Sequence, residues 1–100
     1  MVLDLNRSYL PDCQIYYWRD KSGREIDFVL PFENGRIDII ECKVNPDYFS
    51  IYPVGVFREL YPRGNNICYS LYIGDPYTIR KNGIVVHFTG TFENYPEAAV

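Results

Sequence analysis

Short runs of apolar and β-forming residues, separated by turns rich in Gly, Pro, Asn and Asp, cover most of the chain. Gln14 to Arg19 is dense in β-branched and aromatic side chains and predicts a first strand. Asp20-Lys21-Ser22-Gly23 reads as a turn, and Arg24 to Leu30 as a second strand. Phe32-Glu33-Asn34-Gly35 turns the chain again, and Arg36 to Lys43 forms a third strand. Turns this tight predict an antiparallel meander. Asn45-Pro46-Asp47 breaks the pattern. Pro53 to Tyr61 then reads as a short helix, with Pro53 in its first turn, Pro62 ending it, and Val54, Phe57 and Tyr61 on one face.

Asn66 to Ile73 reads as a fourth strand, apolar at Ile67, Tyr69, Leu71 and Ile73 and closed by Gly74-Asp75-Pro76. Lys81-Asn82-Gly83 precedes a last strand, Ile84 to Phe88. At the start, Met1 to Tyr9 resembles the last turns of a helix, with Pro11 stopping it, and is too short to stand alone. The layout is α+β: a three-stranded meander, a helix and further strands, in one domain over residues 1–93, with a frayed tail over 94–100.

Composition narrows the class. The chain has 100 residues, 47% of them apolar and 23% charged, with a mean hydropathy of −0.22. That fits one folded domain rather than a disordered segment. No apolar run reaches the ~20 residues of a membrane helix, and Met1 to Arg7 lacks the features of a signal peptide. A cytoplasmic protein without membrane contact is the expectation. Cys13, Cys42 and Cys68 are odd in number and far apart, with His87 the lone histidine, so neither a disulfide framework nor a zinc site is expected. A net charge of −3 argues against tight nonspecific nucleic-acid binding through bulk charge. Any such contact needs a local patch, for which Arg19, Lys21 and Arg24 at the first turn are the candidates.

The charged residues of strands two and three suggest chemistry. Glu25 and Asp27 sit two positions apart on one, Glu41 and Lys43 on the other. Whether they meet depends on the loop between the strands. A two-residue Asn34-Gly35 turn pairs Asp27 with Cys42 and sends Asp27 and Glu41 to opposite faces. A three-residue Glu33-Asn34-Gly35 loop, a type I turn followed by a left-handed Gly, pairs Asp27 with Glu41 and Glu25 with Lys43. Apolar patterning does not separate the two, because Ile26, Phe28, Leu30, Ile37, Ile39 and Ile40 occupy both faces. The three-residue loop is the one the chemistry requires, and it is the expectation here. Two carboxylates on adjacent strands offer oxygen ligands to a hard divalent ion, and a neighbouring ammonium can orient water or neutralise charge on a phosphoryl oxygen. A solvated charged hairpin with a Glu25–Lys43 ion pair is the plain alternative.

The stretch from Tyr16-Tyr17-Trp18-Arg19-Asp20 through Glu25-Ile26-Asp27-Phe28, followed by Ile40-Glu41-Cys42-Lys43, resembles the C-terminal domain of unknown function of prokaryotic AAA-type ATPases. That domain belongs to the PD-(D/E)XK, or restriction-endonuclease-like, superfamily. The resemblance implies a restriction-endonuclease-like core with its leading helix truncated. It implies Asp27 and Glu41 as metal ligands, Lys43 as the catalytic lysine and magnesium as the candidate cofactor. Cys42, through its backbone carbonyl, and Glu25 are possible additional ligands. The family's further Glu on the preceding helix has no match, Asp4 being a poor substitute, and no GxxxxGK[ST] loop is present for a nucleotide. The ATPase half is thus expected to lie outside this chain.

Three readings stand at this stage: a metal-dependent phosphodiesterase domain acting on DNA or RNA and inactive as this fragment; a non-catalytic accessory domain docking to its own ATPase or a protein partner; and an unrelated interaction module. The missing helix also predicts self-association through an uncovered sheet face. His87, flanked by Val86 and Phe88, reads as structural.

Overall fold

A computed structural model describes residues 15–91. The helix end over Met1 to Tyr9, Asp4, Cys13 and the tail over 94–100 lie outside the described residues. Strand β1 (Tyr16–Arg19), β2 (Glu25–Pro31) and β3 (Ile37–Cys42) form the antiparallel meander. Helix α1 (Ile51–Leu60) then leads to β4 (Asn66–Tyr69), which lies parallel to β3. A parallel neighbour needs a crossover connection, and α1 supplies it. Strands β5 (Tyr77–Lys81) and β6 (Ile84–Thr89) complete a six-stranded sheet in the order β1-β2-β3-β4-β6-β5. Among the described residues the fold is therefore mixed α+β, one sheet with one α-helix.

The register of β2 on β3 follows the three-residue loop: Phe28 faces Ile40, Leu30 faces Asp38, and the Phe32 amide donates to the Arg36 carbonyl at 2.8 Å. The turn itself differs from the expected type I geometry. Asn34 (φ 65°) and Gly35 (φ 77°) are both left-handed, a conformation open to Gly and tolerated by Asn.

Helix α1 begins at Ile51, two positions before Pro53. The Ser50 hydroxyl accepts the Tyr52 amide at 3.4 Å as an N-cap, and Pro53 still falls in the first turn, where no intrahelical donor is lost. Ile51, Val54 and Phe57 are buried. Tyr61 is exposed at the helix end but lays its ring against Phe57 at 4.9 Å.

The core has two parts. Ile26, Val29, Ile39, Cys68, Val86 and Phe88 pack with Ile51, Val54 and Phe57 on the α1 side. The alternate residues Leu30, Ile40 and Ile67 gather Ile15, Phe28, Phe32, Cys42 and Tyr69 on the other face. Burial on both faces explains why apolar alternation along β2 and β3 does not reveal the register.

Two expectations fail at the far end of the sheet. The fourth strand stops at Tyr69, because Ser70 turns the chain: its hydroxyl donates to the Val44 carbonyl, and its own carbonyl accepts the Ile73 amide. Leu71 is consequently left 79% exposed. Strand β5 was absent from the predicted order, since all five of its residues are exposed and carry no buried stripe. It joins β6 through the two-residue Asn82-Gly83 turn, with φ positive at both positions (53° and 75°) as a type I′ hairpin requires.

Candidate functional site

The second hairpin brings Asp27 and Glu41 together at the last rung of the β2–β3 ladder. The paired register ends at Phe28 and Ile40, and one step further side chains take over. The Asp27 amide donates to Glu41 Oε1 at 2.8 Å, and the Cys42 amide donates to Asp27 Oδ2 at 2.9 Å. Each carboxylate is thus held through one oxygen by a backbone N–H of the other strand. Among the described residues, Asp27 Oδ1 makes no hydrogen bond and Glu41 Oε2 faces only Lys43 Nζ, 4.0 Å away.

A bulge sets this geometry. Between Tyr16↔Val29 and Trp18↔Ile26, β1 advances two residues while β2 advances three. The extra residue lies at Asp27–Phe28, and it lets Ile26 and Val29 both reach the α1-side core. Past the bulge the two-residue alternation no longer holds. Glu25, the possible additional ligand, is instead a surface ion-pair residue. It is exposed and lies 3.7 Å from Arg19, and by hydrogen bonding and charge it pushes the Tyr17 phenol up. The Glu25–Lys43 ion pair of the plain reading does not form either: Lys43 is nearest to Glu41.

Glu41 is 7% exposed, and burial pushes its carboxyl from 4.5 up to about 7. The Asp27 amide and Lys43 pull it down, and the Asp27 and Glu25 charges add to the rise. The site holds a desolvated acid that is short of positive charge. Cys42 supplies its amide to Asp27, and its thiol lies in the second core cluster. Burial pushes that thiol to about 12 and the Cys68 thiol to about 11, so neither is a thiolate nucleophile at neutral pH. His87 Nδ1 lies 3.1 Å from the Thr78 hydroxyl, a contact within the β5–β6 hairpin.

The proposed basic patch is partly neutralised. Arg24 pairs with Asp20 at 2.9 Å and Arg19 with Glu25, while Lys21 sits exposed at the turn. Asp20 also accepts the amides of Ser22 and Arg24, which builds the turn.

A second polar cluster was not anticipated. Asp38 is fully buried, bound by Arg36 through two bonds (3.0 and 2.8 Å) and by the Asn65 amide at 2.8 Å. Nearby, Arg58 donates to the carbonyls of Ile37, Tyr61, Arg63 and Asn65 and to the Asn66 side chain. These contacts tie α1 to the ends of β3 and β4. Asp38, an acid set between Ile37 and Ile39, is the one signal the sequence offers for this cluster.

Asp27 and Glu41 are the only carboxylates the hairpin brings together. Among the described residues no group of three or more His, Cys, Asp or Glu side chains is arranged to hold a metal. The two uncommitted oxygens nevertheless suit a hard cation such as Mg²⁺, which binds through one or two carboxylates and keeps several waters. No helix among the described residues is long and apolar enough to cross a membrane.

Compared with known families, residues 1–89 match one described as a domain of unknown function (DUF4143). No curated protein matches the chain.

Proposed function

The chain belongs to the DUF4143 family, a domain of unknown function, and we propose that it is a restriction-endonuclease-like domain with a divalent-metal site for phosphodiester hydrolysis of nucleic acid. The observation that supports this reading is the reciprocal clamp of Asp27 and Glu41, which leaves Asp27 Oδ1 and Glu41 Oε2 available beside the Lys43 ammonium.

In this reading Asp27 and Glu41 hold Mg²⁺, with the Cys42 carbonyl as a further oxygen. The bound ion would supply Lewis-acid polarisation of a phosphoryl oxygen and a more acidic water. The backbone amides fix both carboxylates without using their second oxygens, so the acids stay oriented with no cation present. Lys43 reduces repulsion between the carboxylates and offers its ammonium to charge that develops on the phosphate. Two carboxylates hold Mg²⁺ weakly. The chain alone is therefore expected to bind metal without rapid cleavage. Nucleotide binding belongs, in the same reading, to an AAA-type ATPase domain outside this chain.

Thermal unfolding with and without millimolar Mn²⁺ tests the site. Binding to the folded state at about ten times Kd adds roughly 1.4 kcal/mol, or several degrees for a domain of this size. The rise should vanish in Asp27→Ala and persist in Lys43→Ala. Any Mn²⁺-dependent cleavage of a nucleic acid should be lost in Lys43→Ala. A melting temperature indifferent to Mn²⁺ and Mg²⁺ would overturn the metal site and leave the accessory-domain reading.

A further inference from the structure

Strand β5 ends the sheet, and among the described residues it pairs only with β6. The two-residue Asn82-Gly83 turn makes Lys81 and Ile84 the first rung of the hairpin. Bonded and non-bonded pairs then alternate, so Lys81, Ile79 and Tyr77 direct their backbone groups to β6. Thr78 and Arg80 turn theirs outward. The outer edge therefore presents two N–H and two C=O groups ready for a further strand.

The side chains around this edge are asymmetric. On the α1 side, Tyr77, Ile79 and Lys81 line a groove of ≈220 Å³ against Pro46, Asp47, Phe49 and Ile51. Tyr77 stacks on Phe88 at 4.9 Å and is still 41% exposed, and Ile79 is 45% exposed. On the other side of the strand stand Thr78 and Arg80. The strand carries two positive charges and no acid, although the whole chain has a net charge of −3.

These charges select the occupant. An antiparallel pairing of β5 with a second copy about Ile79 would set Lys81 opposite Tyr77 and Arg80 opposite Thr78. Four cations would then share one two-stranded ribbon whose strands carry no acid, with Asp47 across the groove facing only the Lys81 side, and such repulsion is how natural sheet edges resist self-pairing. An acidic partner meets no such penalty.

We propose that the open edge of β5 binds an extended peptide of alternating apolar and acidic residues, which adds to the sheet as a further strand. Its apolar side chains enter the groove beside Tyr77 and Ile79, and its acidic side chains line up with Arg80 on the other face. Main-chain hydrogen bonds to Thr78 and Arg80 hold it in register, the strand-addition mode of peptide recognition. This surface is independent of the Asp27–Glu41 site.

The test is fluorescence anisotropy of the full chain with a fluorescein-labelled Val-Glu-Val-Glu-Val-Glu-Val peptide. Saturable binding is expected, weakened about tenfold or more by Arg80→Glu, an exposed change whose fold circular dichroism can check. Methylating the peptide nitrogens of one alternate set should abolish binding, and methylating the other set should leave it, because only one set faces β5. Equal effects of the two sets, or no saturable binding, would overturn the proposal. So would a dimer in sedimentation that Ile79→Lys dissociates, since the edge would then belong to a second copy.

Discussion

Asp27 and Glu41 hold each other across β2 and β3: the Asp27 amide binds a Glu41 oxygen at 2.8 Å, and the amide that follows Glu41 binds an Asp27 oxygen at 2.9 Å. The arrangement fixes two acids side by side where one of them is almost wholly removed from water. Burial and repulsion act against ionisation of Glu41, and only one amide and Lys43 favour it.

A pH dependence of stability follows from this balance. The Glu41 carboxyl rises from 4.5 to about 7 on folding, so the folded state binds more protons than the unfolded state between those values. Stability falls as pH increases through that window, and the full penalty, on the order of 3 kcal/mol, applies above about pH 7. Glu41→Gln keeps an oxygen for the Asp27 amide and removes the charge. It should raise the melting temperature by several degrees at pH 8 and leave it nearly unchanged at pH 4. Equal shifts at both pH values would show that Glu41 does not carry this penalty.

The neighbours of Glu41 should move its titration in opposite directions. Lys43 pulls the carboxyl down and the Asp27 charge pushes it up. Lys43→Met is therefore expected to raise the Glu41 midpoint, and Asp27→Asn to lower it. Carboxyl ¹³C shifts of labelled glutamate followed against pH measure both. The Asp27→Asn variant also retains an oxygen for the Cys42 amide, so the hairpin should stay intact.

Much of this site is legible in the sequence, because of the two hairpin loops the turn residues allow only the three-residue one sets Asp27 opposite Glu41. What the sequence did not disclose was the bulge at Asp27–Phe28, or that Glu25 would turn to Arg19. Bulges follow from how a neighbouring strand is paired, which a single strand's pattern does not record. Strand β5 escaped for a different reason. With every residue exposed it lacks a buried stripe, and its one local signature was the Asn82-Gly83 turn. Leu71 and Tyr72 carry strand-like side chains and extend the fourth strand in the sequence pattern, whereas the Ser70 hydroxyl and carbonyl accept the Tyr72 and Ile73 amides and turn the chain.

Removing Asp38 should expose the cost of the buried Arg36–Asp38 pair. Asp38→Ala removes the buried carboxylate that accepts two bonds from Arg36 and one from the Asn65 amide, and a loss of about 3–5 kcal/mol is expected. Adding Arg36→Met to that variant removes the cation that faced Asp38, so the double variant should be more stable than the sum of the two single losses predicts. Urea unfolding of the four proteins gives the coupling directly. A coupling near zero would mean that the two charges do not depend on each other.

Gly64 closes the connection from α1 to β4 in a conformation that leaves no room for a side chain. Its φ is +147°, and a Cβ placed there would lie 1.8 Å from the Ile37 carbonyl oxygen, which also accepts a hydrogen bond from Arg58. The obstacle is backbone, so relief would require β3 and the α1–β4 connection to separate and would disturb the contacts of Arg58. Gly64→Ala should cost on the order of 3–5 kcal/mol, enough to unfold much of a marginally stable domain. Gly74 is the matched control: nothing lies within 4 Å of its added Cβ and its φ is not positive. Gly74→Ala should therefore unfold within about 0.5 kcal/mol of the wild type in urea. If Gly64→Ala unfolded at the same urea concentration as Gly74→Ala, the close approach of residue 64 to Ile37 would not be a feature of the folded protein.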